Sequence, residues 1–179
     1  MAAPDLVAAR DAALHERVSV VLVEQPYRVA GRRSPAPAAQ LDAAWLAVVT
    51  RVRAELPGLA LLVGGRSSGA RVACRTAEAA GAVGVLCLAF PLRPPGRPDA
   101  PSRLPELDAV TVPTLVVQGE RDPFGVPPTG PRRTVVVVNG DHSLRGDRAA
   151  VSAGVAGWLP TPIRGRRGRG SGRAAGRTR

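Results

Sequence analysis

Apolar residues along the chain fall into short blocks set apart by glycine, proline and polar turns, and the blocks alternate between two periods. Residues 5–15 read as a helix, with Leu6, Val7, Ala9, Ala12 and Leu14 loosely on one side. Val18–Val23 (VSVVLV) is an unbroken aliphatic run, the pattern of a strand covered on both faces. Glu24–Ala39, with Pro26, Gly31, Pro35 and Pro37, reads as a loop. From Leu41 the period becomes helical: Leu41, Ala44, Trp45, Val48, Val49, Val52 and Leu56 form one stripe, stopped by Pro57-Gly58. Leu59–Val63 is a second strand-like run, Ala70–Ala80 a helix ending at Gly81, and Val83–Phe90 a third strand. Pro91–Ser102 reads as a long loop. Thr114–Gln118 and Thr134–Val138 follow as strands four and five, and Asp147–Leu159 as a closing helix with Val151, Val155, Trp158 and Leu159 on its inner face. Strands alternating with helices predict an α/β fold of three layers, a mostly parallel central sheet with helices on both faces.

Composition adds bounds rather than chemistry. The 179 residues fit one domain. No apolar run approaches the roughly 18–20 residues that span a membrane, so no membrane partner is expected. The N-terminal stretch carries Asp5 and Asp11 without a basic cluster, which argues against a secretory leader. Two Cys make no disulfide framework, and two His with two scattered Cys make no zinc motif. A reduced, cytoplasmic protein is the expectation. The net charge is +11, from 25 Arg and no Lys against 14 acids. Seven of those Arg lie after Ile163, leaving +4 on residues 1–163. Residues 1–163 are expected to form the domain and residues 164–179 a disordered Arg/Gly-rich tail. Such a tail can track phosphates, but it has no aromatic residue to stack on a base. Arg without Lys beside abundant Ala, Gly and Pro has the look of GC-rich codons, which weighs against a nucleic-acid partner.

Three strand ends carry reactive residues. Gly65-Arg66-Ser67-Ser68-Gly69 is a G-x-S-x-G between a strand and a helix. Gly119-Glu120-Arg121-Asp122-Pro123-Phe124-Gly125 follows the fourth strand, and Asn139-Gly140-Asp141-His142-Ser143 the fifth. In a parallel sheet these ends lie together. The chain order Ser, Asp, His is that of α/β-hydrolases. A Ser at a sharp strand-to-helix turn is lifted clear of the sheet, with glycines two positions either side avoiding collisions. On this reading Ser67 is a nucleophile, His142 its base and Asp122 the group orienting His142, while the Ser68 amide faces a developing oxyanion.

Neighbouring residues read more simply. Ser68 fails the motif's register, since it would need Gly at Arg66 and Ala70. Asp141 adjoins His142 and suits a turn. Glu120 is read as solvated and His15 as a surface or packing residue. Cys74 and Cys87 read as packing groups, and Trp45, Trp158 and Leu41 as core.

The residues together carry a family resemblance. Glu24-Gln25-Pro26-Tyr27, GGRSSGARVA (Gly64–Ala73), FPLRPPGRP (Phe90–Pro98), PTLVVQGERDPFG (Pro113–Gly125) and GDHSL (Gly140–Leu144) occur in order across roughly residues 5–160. The chain thereby resembles the small α/β-hydrolases related to dienelactone hydrolase, in the branch with the testis-expressed and NSL-complex-subunit hydrolase-like domains. The resemblance implies a serine hydrolase without a cofactor, with Ser67, Asp122 and His142 as the matching triad. Three departures stand out. Relatives carry a strand and an HG-x-G-G loop, which brings the second oxyanion donor, ahead of the helix that here starts near Pro4. This reads as an N-terminally truncated version of the fold, with neighbouring strand edges left open. The segment between the Asp and His loops is cut to Val126–Pro131, 20 positions separating Asp122 from His142. The basic tail is extra.

The expected function is ester-type acyl transfer on a small-molecule substrate, through Ser67, His142 and Asp122. The Pro- and Arg-rich loop from Phe90 to Ser102 would form one wall of the entrance. The alternative is a non-catalytic protein of the same fold that binds a partner. Substrate and oligomeric state are not set by the pattern.

Overall fold

The computed structural model describes residues 3–159. In chain order its elements are α1 (Pro4–His15), α2 (Pro26–Val29), α3 (Ala38–Glu55), β1 (Leu62–Arg66), α4 (Ser68–Thr76), β2 (Gly84–Leu88), α5 (Leu104–Asp108), β3 (Thr114–Gly119), β4 (Arg133–Val138) and α6 (Arg148–Trp158). The four strands form one sheet in the order β1-β2-β3-β4, every pair parallel. Gly65, Cys87, Val116 and Val135 lie in one row across it.

Alternation along each strand sorts side chains between two layers. Leu88, Leu115, Val117 and Val138 pack with α1 and α6, through Ala8, Ala9, Ala12, Val151, Val155 and Trp158. Val63, Val85, Cys87 and Val116 pack on the other face with α3, α4 and α5, through Val49, Ala70, Ala73, Ala77 and Leu107. The two central strands are buried on both faces: Val85, Cys87, Leu115, Val116 and Val117 have no exposure. Burying one such Leu or Val contributes roughly 1.5–3 kcal/mol, so these strands are the mechanical base of the site above them. The three-layer α/β fold with helices on both faces is as the pattern predicts.

The differences have physical reasons. Val18–Val23 is not a strand among the described residues. A strand needs a hydrogen-bonding neighbour, and the ladder of β1 runs to β2 only. Val18 and Val20 pack against the α1/α6 layer, while Val21 and Leu22 are 53% and 46% exposed. The sheet therefore has four strands where five are predicted. The second strand-like run is displaced toward the motif, since β1 includes Gly64, Gly65 and Arg66 and leaves Leu59 exposed. The helix α1 buries Asp5, Ala8 and Ala13 beside the expected Ala9 and Ala12, while Leu6 is partly buried and Leu14 is exposed. The α3 stripe is buried only at Leu41 and Val49, and Leu56 faces solvent. Two short helices were not in the pattern: α2 inside the expected Glu24–Ala39 loop, and α5 after the Pro-rich loop. The expected helix from Ala70 to Ala80 starts at Ser68 and ends at Thr76, with a turn through Gly81 at φ +62°.

No helix connects β3 to β4. Arg133 braces this connection instead, Nε donating to the Pro128 carbonyl at 2.8 Å and Nη1 to Asp108 at 2.9 Å. Val137 on β4 is 52% exposed. The Arg/Gly tail at 164–179 lies outside the described residues.

Candidate active site

All four strands point the same way, so Ser67, Ala89, Glu120 and Asn139 follow their carboxyl ends at one edge of the sheet. Ser67 sits between β1 and α4 at φ +54°, ψ −114°. That conformation strains a residue with a Cβ, at a cost of about 1–3 kcal/mol. It is held because the Ser67 amide donates to Leu88 O at 2.9 Å and Ala70 N–H donates to Ser67 O at 3.1 Å. The turn depends on Gly65, where a Cβ would meet the Gly69 carbonyl carbon at 2.5 Å. The second glycine is different: a Cβ on Gly69 would meet nothing within 4 Å. The crowding expected on both sides of Ser67 is thus all at Gly65. Ser68 opens α4, and its amide has no hydrogen-bond partner among the described residues. It is a free donor beside Ser67, at the positive end of a helix dipole.

His142 arrives from the far edge of the sheet. Its Nε2 is 2.9 Å from Ser67 Oγ and its Nδ1 is 2.8 Å from Asp122 Oδ2. With the proton on Nδ1, the ring donates to Asp122 and accepts from the Ser67 hydroxyl. The three residues singled out from the sequence are therefore brought into one chain of hydrogen bonds. The Asp122 side chain has no exposure, while that of His142 is 20% exposed. A buried carboxylate is costly unless it is fully bonded. Asp122 Oδ2 also accepts from Gln118 Nε2 at 2.7 Å, and Oδ1 accepts from the Phe124 amide at 2.9 Å.

Several contributors were given no task by the sequence. Gln118, fully buried at the end of β3, donates to Phe90 O and Gly125 O as well as to Asp122. Phe124 stacks on His142 with ring centres 4.3 Å apart. Its carbonyl accepts from Arg93 N–H at 3.0 Å, which ties the Pro91–Ser102 loop to the site. Gly119 lets the Asp and His loops meet, since a Cβ there would lie 2.7 Å from Gly140 O. Arg66 donates from Nη2 to the His142 carbonyl at 3.0 Å, and its Nε lies 2.8 Å from Asp5 Oδ2. Gln118 and Phe124 stand inside the PTLVVQGERDPFG stretch, but only the folded chain gives them these tasks.

The remaining candidates fall elsewhere. Asp141 turns away from His142 to accept from the Ser143 amide and hydroxyl, and the Ser143 hydroxyl in particular holds its carboxyl below the ordinary value. Glu120 pairs with Arg121 in solvent. The His15 side chain is 87% exposed. Cys74 and Cys87 are buried with sulfurs 3.5 Å apart. That contact, and then burial, pushes the Cys87 thiol well up, away from thiolate chemistry. Trp45 is half-buried, and Trp158 and Leu41 are core. Among the described residues no group of three or more His, Cys, Asp or Glu could hold a metal ion, and no helix is long and apolar enough to cross a membrane.

The chain matches the alpha/beta hydrolase domain family over residues 4–152. No curated protein matches it. Similar solved structures include a serine hydrolase without a lid from Xanthomonas campestris, at 23% identity and a TM-score of 0.66, covering 87% of this chain and 74% of that one. A serine hydrolase homologue from Coxiella burnetii superposes with a TM-score of 0.61 at 14% identity, over 86% and 74% of the two chains. A metagenome-derived lipolytic enzyme gives 0.63 at 14% identity, over 88% of each. At these identities the likeness is one of fold.

Proposed function

The chain belongs to the alpha/beta hydrolase domain family, and from that premise we propose that it is a serine hydrolase cleaving ester-type bonds of a small molecule through Ser67, His142 and Asp122. The observation that carries the reading is the unbroken relay from Ser67 Oγ to His142 Nε2, and from His142 Nδ1 to a fully buried Asp122.

Each group has a task suited to its surroundings. The Ser67 oxygen attacks the carbonyl carbon of the substrate as His142 Nε2 takes the hydroxyl proton. Asp122 keeps the other ring proton on Nδ1 and stabilises the imidazolium that forms. The charge developing on the former carbonyl oxygen faces the free Ser68 amide, and one such donor is worth about 2.7–4 kcal/mol in the transition state. The imidazolium then gives its proton to the leaving alcohol, so an acyl-Ser67 remains. Water, deprotonated by the same Nε2, attacks that acyl group and frees the acid and the serine. The relation to the dienelactone-hydrolase-related branch belongs to this proposal, and its support is the ordered set of stretches from Gly64–Ala73 to Gly140–Leu144.

The test is covalent labelling with a fluorophosphonate. Labelling of the wild-type chain that is lost in Ser67→Ala and cut by about 10³-fold or more in His142→Ala is the expected result. A folded wild-type chain that takes no label, or a Ser67→Ala variant that labels as well as wild type, would overturn the reading.

A further inference from the structure

His142 has to cross the sheet to reach Ser67. It follows β4, at one edge, while Ser67 follows β1, at the other, with β2 and β3 between them. At roughly 4.8 Å per strand that is a span of about 14 Å, covered by a loop whose buried residues are Gly140 and Leu144. Ring position in such a loop depends on what holds its backbone. The His142 carbonyl has one protein donor among the described residues, Arg66 Nη2 at 3.0 Å. Arg66 is the last residue of β1 and the direct neighbour of Ser67, so the clamp and the candidate nucleophile share a rigid base.

Arg66 is itself held. Its side chain is 29% exposed and reaches toward Asp5 in the first turn of α1, whose side chain is fully buried. Nε approaches Oδ2 to 2.8 Å, yet neither atom makes a well-aligned hydrogen bond. The attraction is one of charge in a water-poor place, where it is stronger than at the surface. A buried carboxylate facing a guanidinium fixes the direction of the fork without using up Nη2, which stays free for the His142 carbonyl.

We propose that Arg66, oriented by Asp5, is a positioning residue that clamps the main chain of His142 and so holds its imidazole between Ser67 and Asp122. The proposal deepens the serine-hydrolase reading and rests on it for its consequence in rate. Its geometric content stands apart: the clamp sets the state of the His142 ring whether or not the chain turns over a substrate.

The experiment uses the full chain with nitrogen-15-labelled histidine. The two ring nitrogens of His142 report its tautomer, and His15, 87% exposed beside Glu16, serves as the internal reference for a solvent-facing ring. In wild type at neutral pH, His142 is expected to hold its proton on Nδ1, because that nitrogen donates to Asp122. In Arg66→Gln the two nitrogens are expected to move toward the averaged shifts of His15. Arg66→Lys, which keeps the charge but loses the fork, falls between them, and Asp5→Asn moves the same way by less. Fluorophosphonate labelling should slow by about 10²-fold in Arg66→Gln, the cost of a misplacement near 1 Å, and partly recover in Arg66→Lys. An Arg66→Gln chain whose His142 nitrogens and labelling rate stay at wild-type values overturns the clamp. A wild-type chain with His15-like shifts at His142 also overturns it. Wild-type chain that fails to label while its His142 nitrogens respond to Arg66→Gln overturns the hydrolase reading alone. If Arg66→Gln does not fold, Arg66→Lys and Asp5→Asn carry the same comparison.

Discussion

A Cβ on Gly65 would lie 2.5 Å from the carbonyl carbon and 2.7 Å from the carbonyl oxygen of Gly69, both backbone atoms that cannot swing aside. The same atom on Gly69 would meet open space. The two glycines of one motif therefore differ in what they tolerate. Gly65→Ala is expected to lose about 1–3 kcal/mol, the usual cost of overpacking, and most of the fluorophosphonate labelling, because the turn must shift. Gly69→Ala is expected to melt at or above wild type, since Ala favours a helix over Gly by about 0.8–1.0 kcal/mol. Equal melting of the two variants, read by circular dichroism, would contradict this account of the turn. Sequence spacing marks both glycines alike. Only the approach of the two backbones separates them.

At the scale of elements, Val18–Val23 shows what an apolar run can and cannot specify. Its residues have high strand propensity, yet propensity without a neighbouring edge makes no ladder. The outcome is a segment without regular structure, with Val18 and Val20 packed against the α1/α6 layer and Val21 and Leu22 largely exposed. Neighbouring exposed apolar residues favour self-association. The double variant Val21→Thr, Leu22→Thr is expected to lower concentration-dependent association in sedimentation, with unfolding free energy within about 0.5 kcal/mol of wild type. A loss of several kcal/mol would mean that these side chains are part of the core. The α6 helix is the opposite case. Val151, Val155, Trp158 and Leu159 meet the core as their spacing predicts, and Asp147 caps the helix by accepting from Ala150 N–H at 2.9 Å. A helix carries its own hydrogen bonds, so its pattern can be read locally; a strand borrows its partner.

For the molecule as a whole, the carboxylate at Asp5 links ionisation to folding. Burial raises its carboxyl above the ordinary 3.8 and outweighs the pull of Arg66. A group that holds its proton more tightly when folded stabilises the native state fully below about pH 3.8. That contribution is lost as pH rises through the raised value. Asp5→Asn removes the titration while keeping the shape. The stability of wild type relative to Asp5→Asn, from urea unfolding, is therefore expected to fall as pH rises from 3.8 through the raised value and then level off. A difference that stays flat, or grows with pH, would contradict the assignment of Asp5 as a carboxyl destabilised in its charged form.

Much of the architecture is legible in the sequence because it is local. The aliphatic runs of β2, β3 and β4, the stripe of α6 and the G-x-S-x-G between a strand and a helix are each set by neighbours a few residues away. That Ser67, Asp122 and His142 meet is legible because parallel strands bring their carboxyl ends to one edge, so order along the chain becomes nearness in space. What the tertiary structure alone decided is non-local. The fate of Val18–Val23 turned on the absence of a ladder partner among the described residues. The task of Gln118 depended on three acceptors meeting at its amide, and the one-sided crowding at Gly65 on the return of α4 across it. The Asp5–Arg66–His142 contact joins residues 61 and 76 positions apart. No spacing rule reaches that far, because the energy of such a contact depends on where the sheet puts its ends.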